Sequence, residues 1–499
     1  MTNASTTDVF EFSKLYQKMM VGGEWRDALS GKTLPVENPA RRQIVAQIPA
    51  AGSQDVDHAV KIAGVAFENW MRRPPKERGL ALLRIADELE RQAEQIARVL
   101  TMETGNAIRT QARPEVRATA EVFRYFGGLA GELKGETVPL GESVLSYTRR
   151  QPLGVVAAII PWNAPLQIAA LKIAPALCAG NTVVLKASED ASLAVLHFAA
   201  ICQAHLPPGV LNVLTGLGQE CGAPLVLHPD VRKLSFTGST QVGKSIMKAA
   251  AEQIIPVSLE LGGKSPSIVF ADCDEEWVVE GVIAAMRFTR QGQSCTAGSR
   301  LLLHANIFDS FLEKLVRKTA SLRVGDPLLE ETEVGSLISC SQHRRVMDYL
   351  DEALANPKAR LLTGGRPDPK GPLGSGWFAL PTILSGVERD WRIAREEVFG
   401  PVLVALPWRD EAEVVKMAND THYGLAAYLW THDIGAGLRV AHAVDAGWVQ
   451  VNQGGAQQLG QSFGGTKASG MGRECSLEGM LDSFTERKSV TVNLNSPRG

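Results

Sequence analysis

Cys295 stands in the run Gly292-Gln-Ser-Cys-Thr-Ala-Gly298, among small and polar residues between two glycines. A thiolate on such a loop can attack a carbonyl carbon. Cys178 and Cys202, inside apolar helical stretches, read instead as inert core. Glu260, in Leu259-Glu-Leu-Gly-Gly-Lys264, is set between apolar residues. Burial there would raise its pKa toward that of a general base, and a satisfied structural carboxylate is the competing reading. Asn163, in Pro161-Trp-Asn-Ala-Pro165, could donate its amide to a developing oxyanion or simply cap the next helix. None of the three settles a function alone.

A second group suits a nucleotide. Lys233–Phe236 reads as a strand that runs into Thr237-Gly-Ser-Thr-Gln-Val-Gly243, with a helix after it. Small residues such as Gly238 and Ser239 at that turn let a phosphate approach backbone N–H groups at the positive end of the helix. The segment also matches GxxxxGK[ST] at Gly238, Gly243, Lys244 and Ser245. A P-loop ATPase is therefore a rival on this motif, and a tight turn without a ligand is another. Lys186 and Glu189 fall just past a buried strand, where parallel sheets place ligands. A carboxylate there can hold two ribose hydroxyls and repel a 2′-phosphate; a solvated ion pair is the plainer reading.

Val155–Ile160, Thr182–Leu185, Leu211–Thr215 and Lys233–Phe236 read as strands, with helices at Pro165–Cys178, Ala191–Ala204 and Thr240–Gln253. That alternation predicts a parallel sheet covered by helices on both faces. A second series from Val257 has strands at Pro266–Phe270, Arg300–His304, Pro401–Leu406, Ala427–Trp430 and Trp448–Val451. Its helices are predicted over Glu275–Thr289, Phe308–Leu322, Gln342–Ala355 and Ala412–Ala418. Ahead of both series, Leu82–Leu100 and Glu115–Phe126 show helical spacing and Val144–Arg149 reads as a strand, while Gly364–Gly376 reads as a surface loop. The fold class is α/β, in two domains.

The chain has 499 residues, 45% hydrophobic and 21% charged, with a net charge of −2. It is long enough for several cores and has no global basic field to hold nucleic acid or an anionic membrane. Seven scattered cysteines without CxxC pairs suit a reducing compartment, and nine histidines without metal-ligand spacing predict no metal. The first thirty residues lack the basic and apolar regions of a signal peptide, and no apolar stretch is as long as a membrane span. A cytoplasmic protein is expected.

In order along almost the whole chain, these segments closely resemble the aldehyde dehydrogenase superfamily. The resemblance is carried by Pro161-Trp-Asn163, Lys186 to Glu189, Phe236-Thr-Gly-Ser-Thr240, Glu260-Leu-Gly-Gly263 and Gly292-Gln-Ser-Cys295. Further on it runs through Gly376-Trp-Phe-Ala-Leu-Pro-Thr382, Glu396-Glu-Val-Phe-Gly-Pro401, Asn419 to Leu425, Phe463-Gly-Gly-Thr-Lys467 and Gly470-Met-Gly-Arg-Glu474. It demotes the P-loop reading, since Lys244-Ser245 would fall inside the helix after the turn. It implies oxidation of an aldehyde to a carboxylic acid with NAD, and NADP is less favoured. Cys295 would form a thiohemiacetal and then a thioester, Asn163 and the Cys295 N–H would hold the oxyanion, and Glu260 would activate the hydrolytic water. Lys186 and Glu189 would hold the adenosine ribose, Gly238 and Ser239 the pyrophosphate, and Glu397 the nicotinamide ribose, with Phe399, Trp162 and Ile160 also at the cofactor.

The resemblance further implies a Rossmann-like dinucleotide domain (1–135 and 154–258), an α/β catalytic domain (259–455) and a protruding β oligomerisation hairpin (136–153 and 480–499). Residues 456–479 would return to the first domain and the substrate tunnel. The hairpin would join Val144–Arg150 to Lys488–Asn493, so a homodimer or homotetramer is expected. Ala187 stands where most similar sequences have Pro, and Ser476 replaces a usual Gly. Ala164 and Leu171 replace larger aromatics common in aliphatic-aldehyde enzymes. With Ser294, Thr296 and Phe463 they would line a widened tunnel, which implies a bulky or aromatic aldehyde. A CoA-acylating semialdehyde dehydrogenase and a non-catalytic protein retaining the fold are the alternatives. Glu260 argues against the first, and the presence of nucleophile, base and oxyanion donor together argues against the second.

Overall fold

The computed structural model describes residues 16–495. The signal-peptide reading rests in part on 1–15, and the 480–499 segment ends on 496–499; both stretches lie outside the described residues.

Two short antiparallel pairs open the described chain, Met19–Val21 (β1) with Glu24–Arg26 (β2) and Thr33–Asn38 (β3) with Gln43–Pro49 (β4). Helices follow at Ser53–Trp70 (α1), Pro75–Arg91 (α2), Ala93–Thr104 (α3) and Arg113–Gly128 (α4). β1–β4 and α1 are not among the expected elements. Where one helix is predicted over 82–100, α2 and α3 meet at Gln92, whose φ of −100° and ψ of 11° leave the helical region. Its side chain is spent on the Glu88 carboxylate and the His197 ring. The buried stripe of Leu82, Ile85, Leu89 and Ile96 continues across the joint, so periodicity alone does not reveal it.

Thr137–Pro139 (β5) and Val144–Pro152 (β6) lead into the first series: Val155–Ile159 (β7), Pro165–Ala179 (α5), Thr182–Lys186 (β8), Leu193–Gln203 (α6) and Leu211–Leu214 (β9). It continues with Ala223–Leu227 (α7), Val231–Thr237 (β10), Thr240–Gln253 (α8) and Val257–Glu260 (β11). β11, β10, β7, β8 and β9 lie side by side and parallel, with β1 antiparallel beyond β9. From β7 the chain steps to β8 and β9 on one side, then to β10 and β11 on the other. The order therefore reverses between β7 and β10, where open parallel sheets leave a crevice. α5 is buried nearly all round, because it packs between this sheet and α2, α4 and α6.

The second series runs Pro266–Val269 (β12), Glu276–Met286 (α9), Arg300–His304 (β13), Phe308–Ala320 (α10), Cys340–Leu354 (α11), Arg360–Gly365 (β14) and Leu380–Ser385 (β15). Then come Arg392–Arg395 (α12), Val402–Trp408 (β16), Glu411–Asn419 (α13), Ala426–Trp430 (β17), Ile434–Ala443 (α14) and Trp448–Val451 (β18). Its sheet has the order β14-β15-β16-β13-β12-β17-β18, parallel except for β14. β14 takes the first two residues of the expected loop at Gly364–Gly376, using glycine φ values of 85° and 90°. α9 ends at Met286, before the predicted Thr289, because Arg287 turns left-handed at φ 58°. Gln291 (52°) and Gly292 (63°) turn the chain again, and this double reversal presents the loop of Cys295.

The chain closes with Gly470–Met471 (β19), Leu477–Phe484 (α15) and Thr485–Asn493 (β20). β19 pairs antiparallel with β11, at the edge of the first sheet. β20 pairs with β6 from Thr485↔Pro152 to Asn493↔Val144, so the expected hairpin partners do meet, beginning three residues earlier than predicted. Ser476 earns its place over glycine by capping α15: its Oγ accepts from the Gly479 N–H at 3.1 Å. Ala187 donates its N–H to the Leu214 carbonyl at 3.0 Å, a bond that proline could not make.

Candidate active site

The two turns at the sheet reversal form one wall of a cavity of about 250 Å³: Pro161, Trp162 and Asn163 after β7, and Thr237, Gly238 and Ser239 after β10. Leu261 and Gly262, just past β11, and Cys295, Gln342, Arg345, Glu397 and Phe399 from the second series close it. Seven sequence-predicted residues thus share the cleft: Trp162, Asn163, Gly238, Ser239, Cys295, Glu397 and Phe399. Ile160, Ala164, Leu171, Lys186, Glu189, Glu260, Ser294, Thr296 and Phe463 do not line it.

The phosphate-suited turn is tight. A Cβ on Gly238 would run into the Phe236 ring, and the Gly238 N–H donates to the Glu260 carbonyl at 3.0 Å. Ser239 caps α8, accepting from the Val242 N–H at 3.3 Å, and the cleft meets this helix at its positive end. The Thr237 hydroxyl is buried against the cleft with no hydrogen-bond partner among the described residues. Away from the cleft, the buried Lys186 pairs with the half-exposed Glu189 at 2.9 Å, and Ile160 is buried with its N–H on the Lys186 carbonyl.

Glu397 is held by two hydrogen bonds. Its Oε1 accepts from the Gly263 N–H at 2.9 Å, and Arg345 grips its backbone carbonyl at 2.5 Å. Burial pushes its carboxyl up to about 7, against the opposing pull of the Gly263 N–H, Arg345 and Lys264. Phe399 is left-handed at φ 59°, with its carbonyl accepting from Gln342 Nε2 at 2.7 Å and its ring edge-on to Trp162 at 5.3 Å. Gln342 and Arg345 were not among the candidate residues. They lie one turn apart on α11, and no local signal links them to a segment some fifty residues on.

Cys295 is half-buried, bracketed by Ser294 and Thr296, whose hydroxyls bond each other at 3.1 Å. Burial, then the Glu397 and Glu260 carboxylates, push its thiol up to about 12, with Arg290 opposing. Asn163 donates Nδ2 to the Gln293 carbonyl at 3.0 Å, which holds the amide over the nucleophile loop and leaves its second N–H to offer. Glu260 ends β11 behind the cleft, with neither carboxylate oxygen hydrogen-bonded among the described residues. Burial first, then the nearby Glu474, hold its pKa well above the carboxylate range, with Lys172 and Arg473 opposing. Lys172 and Glu474 form a buried pair at 3.0 Å. Ala164 and Leu171 are buried at the start of α5 and within it, and Phe463 is buried edge-on to Trp448 at 5.6 Å.

Both glycines after Leu261 are required by close approach. A Cβ on Gly262 would come within 2.6 Å of the Glu397 carboxylate, and one on Gly263 would overlap the Cys295 carbonyl oxygen. The Glu397 side chain can swing aside; the Cys295 backbone cannot. Gly263→Ala should therefore displace the thiol and lower kcat by about 100-fold, the cost of a misplacement near 1 Å. A variant with wild-type kcat would refute that close packing.

The aldehyde dehydrogenase family model matches residues 25–490. A phenylacetaldehyde dehydrogenase of Pseudomonas fluorescens is 42% identical over 502 residues, covering 99% of each chain. Among solved structures, a putative aldehyde dehydrogenase from Burkholderia cenocepacia superposes with a TM-score of 0.94 at 41% identity, covering 97% of this chain and 99% of the other. Betaine aldehyde dehydrogenase from Staphylococcus aureus, solved with NAD+, gives 0.94 at 34% identity, covering 97% and 96%.

Proposed function

Because the chain belongs to the aldehyde dehydrogenase family, we propose that it oxidises an aldehyde to the free carboxylic acid with NAD, by way of a covalent intermediate on Cys295. The observation that carries this reading is the meeting of Cys295, the Asn163 amide and Glu397 in one cleft at the sheet reversal, with Glu260 buried just behind and unpartnered among the described residues.

The cleft fits the cofactor. The Thr237 hydroxyl, unpartnered among the described residues, the positive end of α8 at Ser239 and the Glu397 carboxylate are polar groups that line one cleft, as an elongated nucleotide would need. Gly238 and Ser239 would hold the pyrophosphate and Glu397 the nicotinamide ribose, beside Phe399, Trp162 and Ile160. Lys186 and Glu189 would hold the adenosine ribose, and the Glu189 carboxylate would disfavour the 2′-phosphate of NADP. Bound NAD supplies the hydride acceptor that turns a thiohemiacetal into a thioester.

The chain's own residues do the rest. The Cys295 thiol gives up its proton to solvent, its sulfur bonds to the aldehyde carbon, and the charge that develops on oxygen is held by the Asn163 amide and the Cys295 N–H. Glu260, in its ionised form, takes a proton from water as that water attacks the thioester carbon. The C–S bond then breaks, the acid leaves and the Cys295 thiolate returns.

The modest Ala164 and Leu171 side chains support a bulky or aromatic aldehyde, in a tunnel with Ser294, Thr296 and Phe463, and the relative named for phenylacetaldehyde accords with it. The test is NADH production over a panel from acetaldehyde to substituted benzaldehydes, with NAD or NADP and with or without CoA. Turnover with NAD alone, highest on the aromatic aldehydes, is expected. An absolute need for CoA would overturn the hydrolytic route, NADP efficiency equal to that of NAD would overturn the role of Glu189, and a preference for acetaldehyde would overturn the tunnel reading.

The seven cysteines are free, and no described helix is long and apolar enough to cross a membrane. Val138, Leu145 and Val492 are exposed on the β5-β6-β20 sheet, and a homodimer or homotetramer built on that sheet would cover them. Sedimentation at the mass of one chain would refute this assembly.

A further inference from the structure

Glu115 is a fully buried carboxylate that the reaction scheme does not use. From the first turn of α4 it reaches two parts of the site at once. Its Oε1 accepts from the Leu166 N–H at 3.1 Å, in the first turn of α5 and three residues past Asn163. Its Oε2 lies 3.8 Å from the guanidinium of Arg290 and has no hydrogen-bond partner among the described residues. Arg290 sits in the double turn that presents Cys295, and its carbonyl accepts from the Gln293 N–H at 2.9 Å. Gln293 in turn accepts from the Asn163 amide at 3.0 Å, which closes a circuit through Glu115, Leu166, Asn163, Gln293 and Arg290.

Gln111, just ahead of α4, braces the same turn. Its Oε1 accepts from Arg290 Nε at 2.9 Å, and its amide donates to the Thr289 hydroxyl at 2.7 Å. A buried carboxylate facing a guanidinium beyond hydrogen-bond distance is a poor source of stability, since desolvation offsets the attraction. What the arrangement does supply is orientation. Two segments more than a hundred residues apart in sequence, one bearing the amide and one the thiol, are referred to the same rigid helix.

We infer that Glu115, braced by Gln111, is a positioning residue that clamps the Asn163 amide against the Cys295 loop and so sets the geometry of thiohemiacetal formation and breakdown. The inference rests on the roles proposed above for Cys295 and Asn163. Glu115→Gln keeps the shape and an acceptor for Leu166 but turns a neutral amide toward Arg290, which loosens that side of the circuit.

The experiment compares Glu115→Gln and Gln111→Ala with the wild type and with Cys295→Ala. In both clamp variants kcat should fall roughly 10- to 100-fold, the range expected for misplacement of a reacting group by up to about 1 Å. KM for NAD and the melting temperature should stay near wild type, and a deuterium isotope effect on kcat should grow with the aldehyde-deuterated substrate. Retained kcat in both variants overturns the clamp, as does a loss matched by a raised KM for NAD with no change in isotope effect. If Glu115→Gln does not fold, Gln111→Ala decides alone. Activity surviving in Cys295→Ala would instead bring down the reading beneath it, whereas an inactive Cys295→Ala beside fully active clamp variants removes the clamp only.

Discussion

Cys295→Ala is expected to retain no more than about 10⁻⁴ of the wild-type kcat, as befits loss of a covalent nucleophile whose partners cannot act without it. NADH formation under saturating aldehyde measures it, and NAD should still bind, because none of the residues assigned to hold the cofactor is changed. A variant that kept a tenth of wild-type turnover would remove Cys295 from the chemistry. The environment of the thiol adds a pH signature. Burial, with the Glu397 and Glu260 carboxylates facing it, pushes the thiol up to about 12 in the cofactor-free protein, despite Arg290 nearby. Only the thiolate alkylates readily, and below the pKa its fraction rises tenfold per pH unit. The rate of iodoacetamide modification should therefore climb about tenfold per unit from pH 7 to 9 without levelling. A plateau below pH 8 would mean that the free enzyme already holds a thiolate.

Glu260→Gln should lower kcat by about 10²- to 10⁴-fold, the usual contribution of a general base, while leaving the first half-reaction intact. The acyl group then stays on Cys295, and the intact protein should gain its mass after brief mixing with NAD and aldehyde. Rapid steady turnover without accumulation would reassign the base. The same carboxyl bears on stability. Its pKa is held well above the ordinary value by burial and by Glu474, so the folded state keeps a proton that the unfolded chain has already lost. Its contribution to stability therefore falls as pH rises from the usual carboxylate range toward the raised value. The melting temperature of the wild type relative to Glu260→Gln should fall over that interval; a constant difference would show that Glu260 does not titrate there.

Much of this protein is written in local sequence. Thr240–Gln253 folds as the helix predicted after the turn, Arg300–His304 and Trp448–Val451 as the strands their apolar runs predict, and the small residues after β10 mark one turn of the cleft. These features depend on neighbours a few residues away: a cap, a period, a glycine that lets backbones approach. The break at Gln92 escaped because the buried stripe stays in phase across it, and the early stop of α9 because Arg287 is not a residue type that announces a left-handed turn.

What tertiary structure alone decided is which distant groups face one another. Gln342 and Arg345 look like ordinary helix-surface residues until α11 brings them to the backbone of Glu397 and Phe399. Glu115 is only the first residue of the predicted helix Glu115–Phe126 until α4 packs against α5 and the Arg290 turn, which buries its carboxylate against the Leu166 N–H and 3.8 Å from Arg290. Glu260 reads as a base or as a satisfied carboxylate equally well, until its oxygens prove to have no partner among the described residues. Helix and turn signals are carried by contacts within a few residues, so one sequence displays them. Charge pairing, burial and pKa depend on the whole packed interior, which exists only once the two sheets have come together.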